Sequence, residues 1–203
     1  ALESRLQAMQ ARVEPQFLFN TLAQVERLYE VDSALAGRML DDLIAYLRAA
    51  MPAMRDTSST VGQEVDLARA YLDIVRLRLG DRLRVAIDVP ADVRDARMPP
   101  MMLLPLTDHA VTHGIEQRRG GMLHIAIEAR PPRLVLRIVD SGAGFIPEVA
   151  GDGIADIRAR LATLYGPEAT LALQPRGSGA SEAILDLPLE SCGGAGGVLP
   201  IPA

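Results

Sequence analysis

This 203-residue chain has no lysine; all 21 of its basic residues are arginine. A catalytic lysine, a lysine Schiff base and a Walker-type P-loop lysine are therefore excluded. The single cysteine, Cys192, excludes a disulfide framework and a cysteine-rich zinc site, and fits a reducing compartment. Histidine is scarce too: only His109, His113 and His124 are present, so any imidazole chemistry must use one of these three. No run approaches the roughly 20 apolar residues that span a bilayer. The opening Ala1-Leu2-Glu3-Ser4-Arg5 lacks the basic and apolar parts of a signal peptide. We therefore expect no membrane contact within these residues. The chain opens partway through a helical pattern, as a fragment of a longer protein would. A net charge of −5 argues against direct binding to nucleic acid.

What is present suffices for a packed core. Hydrophobic residues are 49% of the chain and charged residues 23%, which excludes a disordered polymer. The length fits one large domain or two small ones.

Apolar residues at Leu2, Leu6, Met9 and Val13 step like a bundle seam and continue through Phe17, Leu18, Leu22, Val25 and Leu28. Pro15 lies inside this pattern and predicts a kink. A second helix starts near Asp32 or Ser33, with a seam of Ala36, Leu40, Leu43, Leu47 and Ala50, and ends before Pro52. The two make a helical hairpin with too little core of its own, which dimerisation into a four-helix bundle would complete. Residues 51–60 read as a linker. Ser59 or Thr60 then caps a third helix, with Val61, Val65, Ala68, Leu72, Val75 and Leu79 on one face and Gly80 as its stop.

Beyond Gly80 the period changes to that of strands. Alternation predicts strands at 84–89, around Leu123–Ile127 and Leu134–Ile138, and near 170–174 and 182–187. Pro99-Pro100 opens a helix running to about His113, with Gly114 as its end, and another helix covers about 154–165. The order predicts an α+β fold, a helical hairpin followed by an α/β sandwich. The Gly- and Pro-rich tail, 190–203, is expected to be disordered.

Three clusters carry possible chemistry. Asp140-Ser141-Gly142-Ala143-Gly144 follows a strand: an aspartate there can accept from an exocyclic amine, and glycines let backbone approach a ring or phosphate, although a plain turn reads the same way. Gly151-Asp152-Gly153 opens a helix whose amides could cradle phosphate, with Arg158 adding charge. Asp108, His109, Thr112 and His113 lie on adjacent turns of one helix, and the two histidines could hold a metal if a third ligand existed.

In chain order, the polar helix at 108–113, the strand-end Asp140 turn and the Gly151 helix start together resemble the ATP-binding domain shared by gyrase, the Hsp90 chaperones, histidine kinases and MutL. Upstream, Pro15-Gln16-Phe17-Leu18-Phe19-Asn20 resembles the Pro-His-Phe-Leu-Phe-Asn signature of LytS-like sensor histidine kinases. Tyr46-Leu47-Arg48, Glu64, Tyr71-Leu72, Leu77 to Arg82 and Pro99-Pro100 extend the likeness. The resemblance implies a dimerisation and phosphoacceptor hairpin over 1–58, an ATPase domain over 59–189, and ATP with Mg2+. It implies a homodimer, a response regulator partner of the LytTR type, and a parent protein anchored in the inner membrane with this part cytoplasmic.

Several positions depart from the family pattern. Gln16 replaces the acceptor histidine, and a carboxamide nitrogen is no nucleophile. Asp108 stands for a base-like glutamate, His109 for a Mg2+-holding asparagine and Thr112 for a lysine. An imidazole suits a hard, oxygen-seeking cation poorly. His113, Asp140, Gly142, Gly144, Gly151, Gly153 and Arg158 match the nucleotide side, while Asp156 replaces an asparagine. The resemblance thus implies a degenerate member, a pseudokinase serving as a dimeric signalling scaffold. The alternatives are an active kinase or ATPase acting on another protein, and an interaction module with a vestigial pocket.

Overall fold

The computed structural model describes residues 15–118, 120–142, 152–177 and 179–190. The seam over 2–13 and the kink expected at Pro15 therefore fall outside the described residues or at their margin.

Helix α1 (Pro15–Val31) and helix α2 (Ser33–Arg55) form the hairpin. Asp32 caps α2, its carboxylate accepting from the Leu35 amide at 2.9 Å. The helix does not end before Pro52 as expected. Pro52 lies in the last turn, where its missing N–H removes only one bond, and its carbonyl still accepts from the Asp56 amide. The seam of α2 is also rotated from the expected one. Ala36, Met39, Leu43, Tyr46 and Ala50 are buried, whereas Leu40 and Leu47 are exposed together with Ile44 and Met51. The helix has two apolar stripes, and only one of them is covered.

The supposed linker is short. Strand β1 (Ser59–Thr60) pairs antiparallel with β3 (Arg97–Met98), and helix α3 (Val61–Leu79) follows at once. Thr60 and Gln63 make a reciprocal capping box at its start. Gly80 closes it with φ +59°, a conformation glycine adopts without strain.

A five-stranded sheet follows in the order β2-β4-β5-β7-β6. Its strands are β2 (Leu83–Asp88), β4 (Gly121–Arg130), β5 (Arg133–Asp140), β6 (Thr170–Arg176) and β7 (Ala180–Pro188). Only β2 and β4 run parallel. Leu123, Ile125 and Ile127 on β4 and Leu134, Leu136 and Ile138 on β5 point to one face, as the alternation predicts. Three helices cover that face: α3, α4 (Leu103–His109) and α5 (Asp152–Tyr165), the last through Ile154, Ile157 and Leu161. The buried cluster is continuous with Leu43, Tyr46, Ala50 and Ala53 of α2, so the hairpin leans on α3.

Helix α4 also departs from expectation. It does not stop at Gly114. It widens into a π-helical turn over Ala110–Ile115, in which the Glu116 amide donates to the Val111 carbonyl five residues back. At the far end, Glu190 belongs to the structure rather than to a tail, since its carbonyl accepts from the Arg97 amide at 3.1 Å. Residues 191–203 lie outside the described residues.

Candidate functional site

The strand-end aspartate is the best-defined part of the site. Asp140 ends β5 and is buried, with 4% of its surface exposed. Its Oδ1 accepts from the Gly142 amide at 2.9 Å. Burial raises its pKa above the ordinary carboxylate value, while the Gly142 amide and the hydroxyl of Ser181, its cross-strand neighbour on β7, pull the other way. Ser181 was not singled out from the sequence. Only the sheet register places it opposite Asp140.

The glycines here serve protein packing first. A methyl on Gly142 would lie 2.1 Å from the backbone of Gly114, and one on Gly114 would lie 2.2 Å from Asp140 Oδ1. The wide turn after α4 thus nests directly on the end of β5. Gly114 was expected to end a helix, and its real requirement is this close approach. The missing side chain of Gly142 faces protein backbone, not the open space left for a ring.

His109 and His113 lie side by side, ring centroids 4.7 Å apart. Burial lowers the His109 pKa, His113 adds to that, and Asp108 opposes it. His109 is therefore a neutral imidazole near neutral pH. Asp108 faces the other way, accepting a 2.6 Å hydrogen bond from the Tyr71 hydroxyl of α3. Among the described residues no three His, Cys, Asp or Glu side chains come together as a metal site. A pair of imidazoles, beside a carboxylate already engaged by a phenol, does not fit Mg2+.

Helix α5 opens beside α4, with the position of a Gly153 side chain 3.6 Å from Pro105 Cβ. Gly153, Asp156 and Arg158 are exposed on it. Gly144 and Gly151 fall outside the described residues. Gln16 sits exposed on α1, and its amide donates to Asn20 Oδ1 at 3.0 Å. The structure thus brings Asp140, Gly142 and the α4 turn together, and gives Gln16 a local partner on its own helix.

A residue whose role sequence reasoning left blank shapes all of this. Glu64 on α3 is 1% exposed. Its carboxylate accepts from the amides of Met101, Met102 and Leu103, at 2.9, 2.9 and 3.1 Å. The amides of Met102 and Leu103 open α4, the helix carrying Asp108 and His109, and Met101 leads directly into it. Met101 there holds φ +58°, strained for a long side chain. Burial raises the Glu64 pKa, and the three backbone hydrogen bonds oppose it.

The family model "Histidine kinase" matches residues 4–83. The sensor protein LytS of Enterococcus faecalis is 26% identical over 204 residues, covering 93% of this chain and 34% of that protein. LytS of Oceanobacillus iheyensis is 29% identical, covering 94% of this chain and 35% of its own length. This chain is similar to the LytS-like sensor histidine kinases over nearly its whole length. It spans about a third of the length of these relatives. The histidine kinase domain of the Erythrobacter litoralis blue-light activated kinase EL346 has the same fold, with a TM-score of 0.52 at 18% identity over 93% of this chain and 92% of that one. The helical hairpin followed by a mixed sheet under helices is therefore the histidine kinase architecture. Among the described residues no helix is long and apolar enough to cross a membrane.

Proposed function

We propose that this LytS-like chain is a pseudokinase core: a dimeric signalling scaffold that keeps the adenine end of the nucleotide site and has lost phosphoryl transfer to itself. The observation that carries this reading is Gln16. It stands where the family carries its acceptor histidine, and its nitrogen is a delocalised carboxamide already donating to Asn20. No histidine precedes His109 in the chain, so no neighbouring imidazole can substitute.

The rest of the site supports the same division. Asp140, buried at a strand end with Ser181 opposite, is suited to accept from an exocyclic amine. Gly142 holds the adjoining backbone tight against Gly114. At the phosphate end the balance fails. His109 is neutral, Asp108 is turned to Tyr71, and Asp156 puts a negative charge on the helix that would face phosphate. A bound ATP would supply a transferable phosphoryl group, and this chain offers nothing on α1 to receive it.

A homodimer is supported by the uncovered apolar stripes of the hairpin. Leu40, Ile44, Leu47 and Met51 on α2 follow bundle spacing, as do Phe19, Leu22 and Tyr29 on α1. We assign the hairpin, 1–58, to dimerisation and 59–189 to the ATPase-like unit. The parent is proposed to be an inner-membrane sensor with this part cytoplasmic, acting with a response regulator of the LytTR type.

Calorimetry with an ATP analogue, with and without Mg2+, tests the nucleotide site. Weak binding insensitive to Mg2+ is expected. Micromolar binding that requires Mg2+ would overturn the damaged phosphate end.

A further inference from the structure

Phe17, Tyr46 and Tyr71 are three of only seven aromatic residues in the chain, three Phe and four Tyr, and they meet at one point. Phe17, beside the acceptor position on α1, lies 5.3 Å from the Tyr46 ring and 5.1 Å from the Tyr71 ring, centroid to centroid. Tyr46 belongs to α2 and Tyr71 to α3, so this cluster joins the hairpin to the sandwich. From its far end the Tyr71 hydroxyl reaches Asp108 at 2.6 Å. Tyr71 is 3% exposed, and its ring has nowhere to move unless its neighbours move.

We propose that Tyr71 is a positioning residue: Phe17 of the acceptor-like helix seats its ring, and its hydroxyl fixes the side-chain orientation of Asp108. The χ1 torsion of an aspartate has three staggered states, and one short hydrogen bond from a rigid phenol selects among them. Burial, with Asp108 beside it, raises the Tyr71 pKa well above its ordinary value, so the hydroxyl remains a donor across the working pH range. A displacement of α1 is then felt at Asp108 through two side-chain contacts. That Asp108 borders a nucleotide rests on the function proposed above. The coupling itself does not need nucleotide.

Side-chain NMR on the full chain tests the coupling without nucleotide, and so independently of whether any binds. In the unaltered protein Asp108 should show one large and one small Hα–Hβ coupling, the mark of a single rotamer. Tyr71→Phe keeps the ring and removes the hydroxyl, and should collapse the two couplings to a common averaged value. Phe17→Leu should do the same, with Phe17→Met as a second variant if the first fails to fold. Phe19→Leu, on the same helix but 68% exposed, should leave Asp108 unchanged. A single Asp108 rotamer persisting in Tyr71→Phe would overturn the positioning role. Averaging in Tyr71→Phe but not in the Phe17 variants would overturn the link to α1.

Discussion

Removing the Glu64 carboxylate should unseat α4. The side chain is 1% exposed and accepts three backbone N–H groups that have no helical partner. Hydrogen bonds to a charged group contribute about 1.5–3 kcal/mol each, and a buried donor left unmade costs about 1–3 kcal/mol. Against this stands the desolvation of the carboxylate, which is large enough to raise its pKa despite those three bonds. Three unmade donors, set against the carboxylate desolvation that is relieved, leave a loss of about 3–5 kcal/mol for Glu64→Ala. A typical domain has only about 5–15 kcal/mol in all. Glu64→Gln keeps one acceptor oxygen but turns an NH2 toward an amide donor, and should cost about 2–3 kcal/mol. Urea unfolding measures both. Linkage adds a pH signature. Because the folded pKa lies above the ordinary 4.5, the contribution of Glu64 is largest below 4.5 and declines as pH rises through the folded value. The stability gap between the protein and Glu64→Gln should therefore narrow with rising pH across that window. A Glu64→Ala variant that loses less than about 1 kcal/mol would refute the capping role.

Gly142→Ala places a methyl 2.1 Å from Gly114 and should cost at least about 1–3 kcal/mol in thermal unfolding, since neither backbone can give way easily. Asp140→Asn should abolish calorimetric binding of an ATP analogue while largely preserving the fold. In the unaltered protein that binding should release protons as pH falls toward the raised Asp140 pKa, because the amine needs the ionised carboxylate. The release would appear as a buffer-dependent binding enthalpy. The His109 ring should titrate below its ordinary 6.5 by NMR, its charged form disfavoured by burial and by His113. His109→Asn should gain a Mg2+ dependence in nucleotide binding that the natural residue lacks.

What could be read from the sequence was whatever depended on near neighbours. Period-2 alternation located the strands carrying Leu123–Ile127 and Leu134–Ile138. Thr60 with Gln63, Asp32, and Gly80 located helix ends, because capping is a contact over three or four residues. The failures share a cause. Gly114 and Pro52 look like stops by propensity, but Gly114 packs against Asp140 and Pro52, in the last turn, removes only one bond. The expected seam of α2 mixes its two stripes, Ala36, Leu43 and Ala50 being buried and Leu40 and Leu47 exposed, since a helix apolar on two faces does not reveal which face the protein covers itself. Nothing local marks Glu64 as buried, because its three donors lie 37 to 39 positions away. Tyr71 and Asp108 are likewise 37 residues apart. Gln16 was legible because a departure from a motif needs no structure to be seen.

The measurement that bears most directly on the central claim is phosphoryl transfer from γ-labelled ATP and Mg2+ to the purified chain, read as acid-labile label, alongside the double variant Gln16→His, His109→Asn. No label is expected on the unaltered chain, and the double variant should gain phosphohistidine. Label on the unaltered chain, stoichiometric with protein, would contradict that claim.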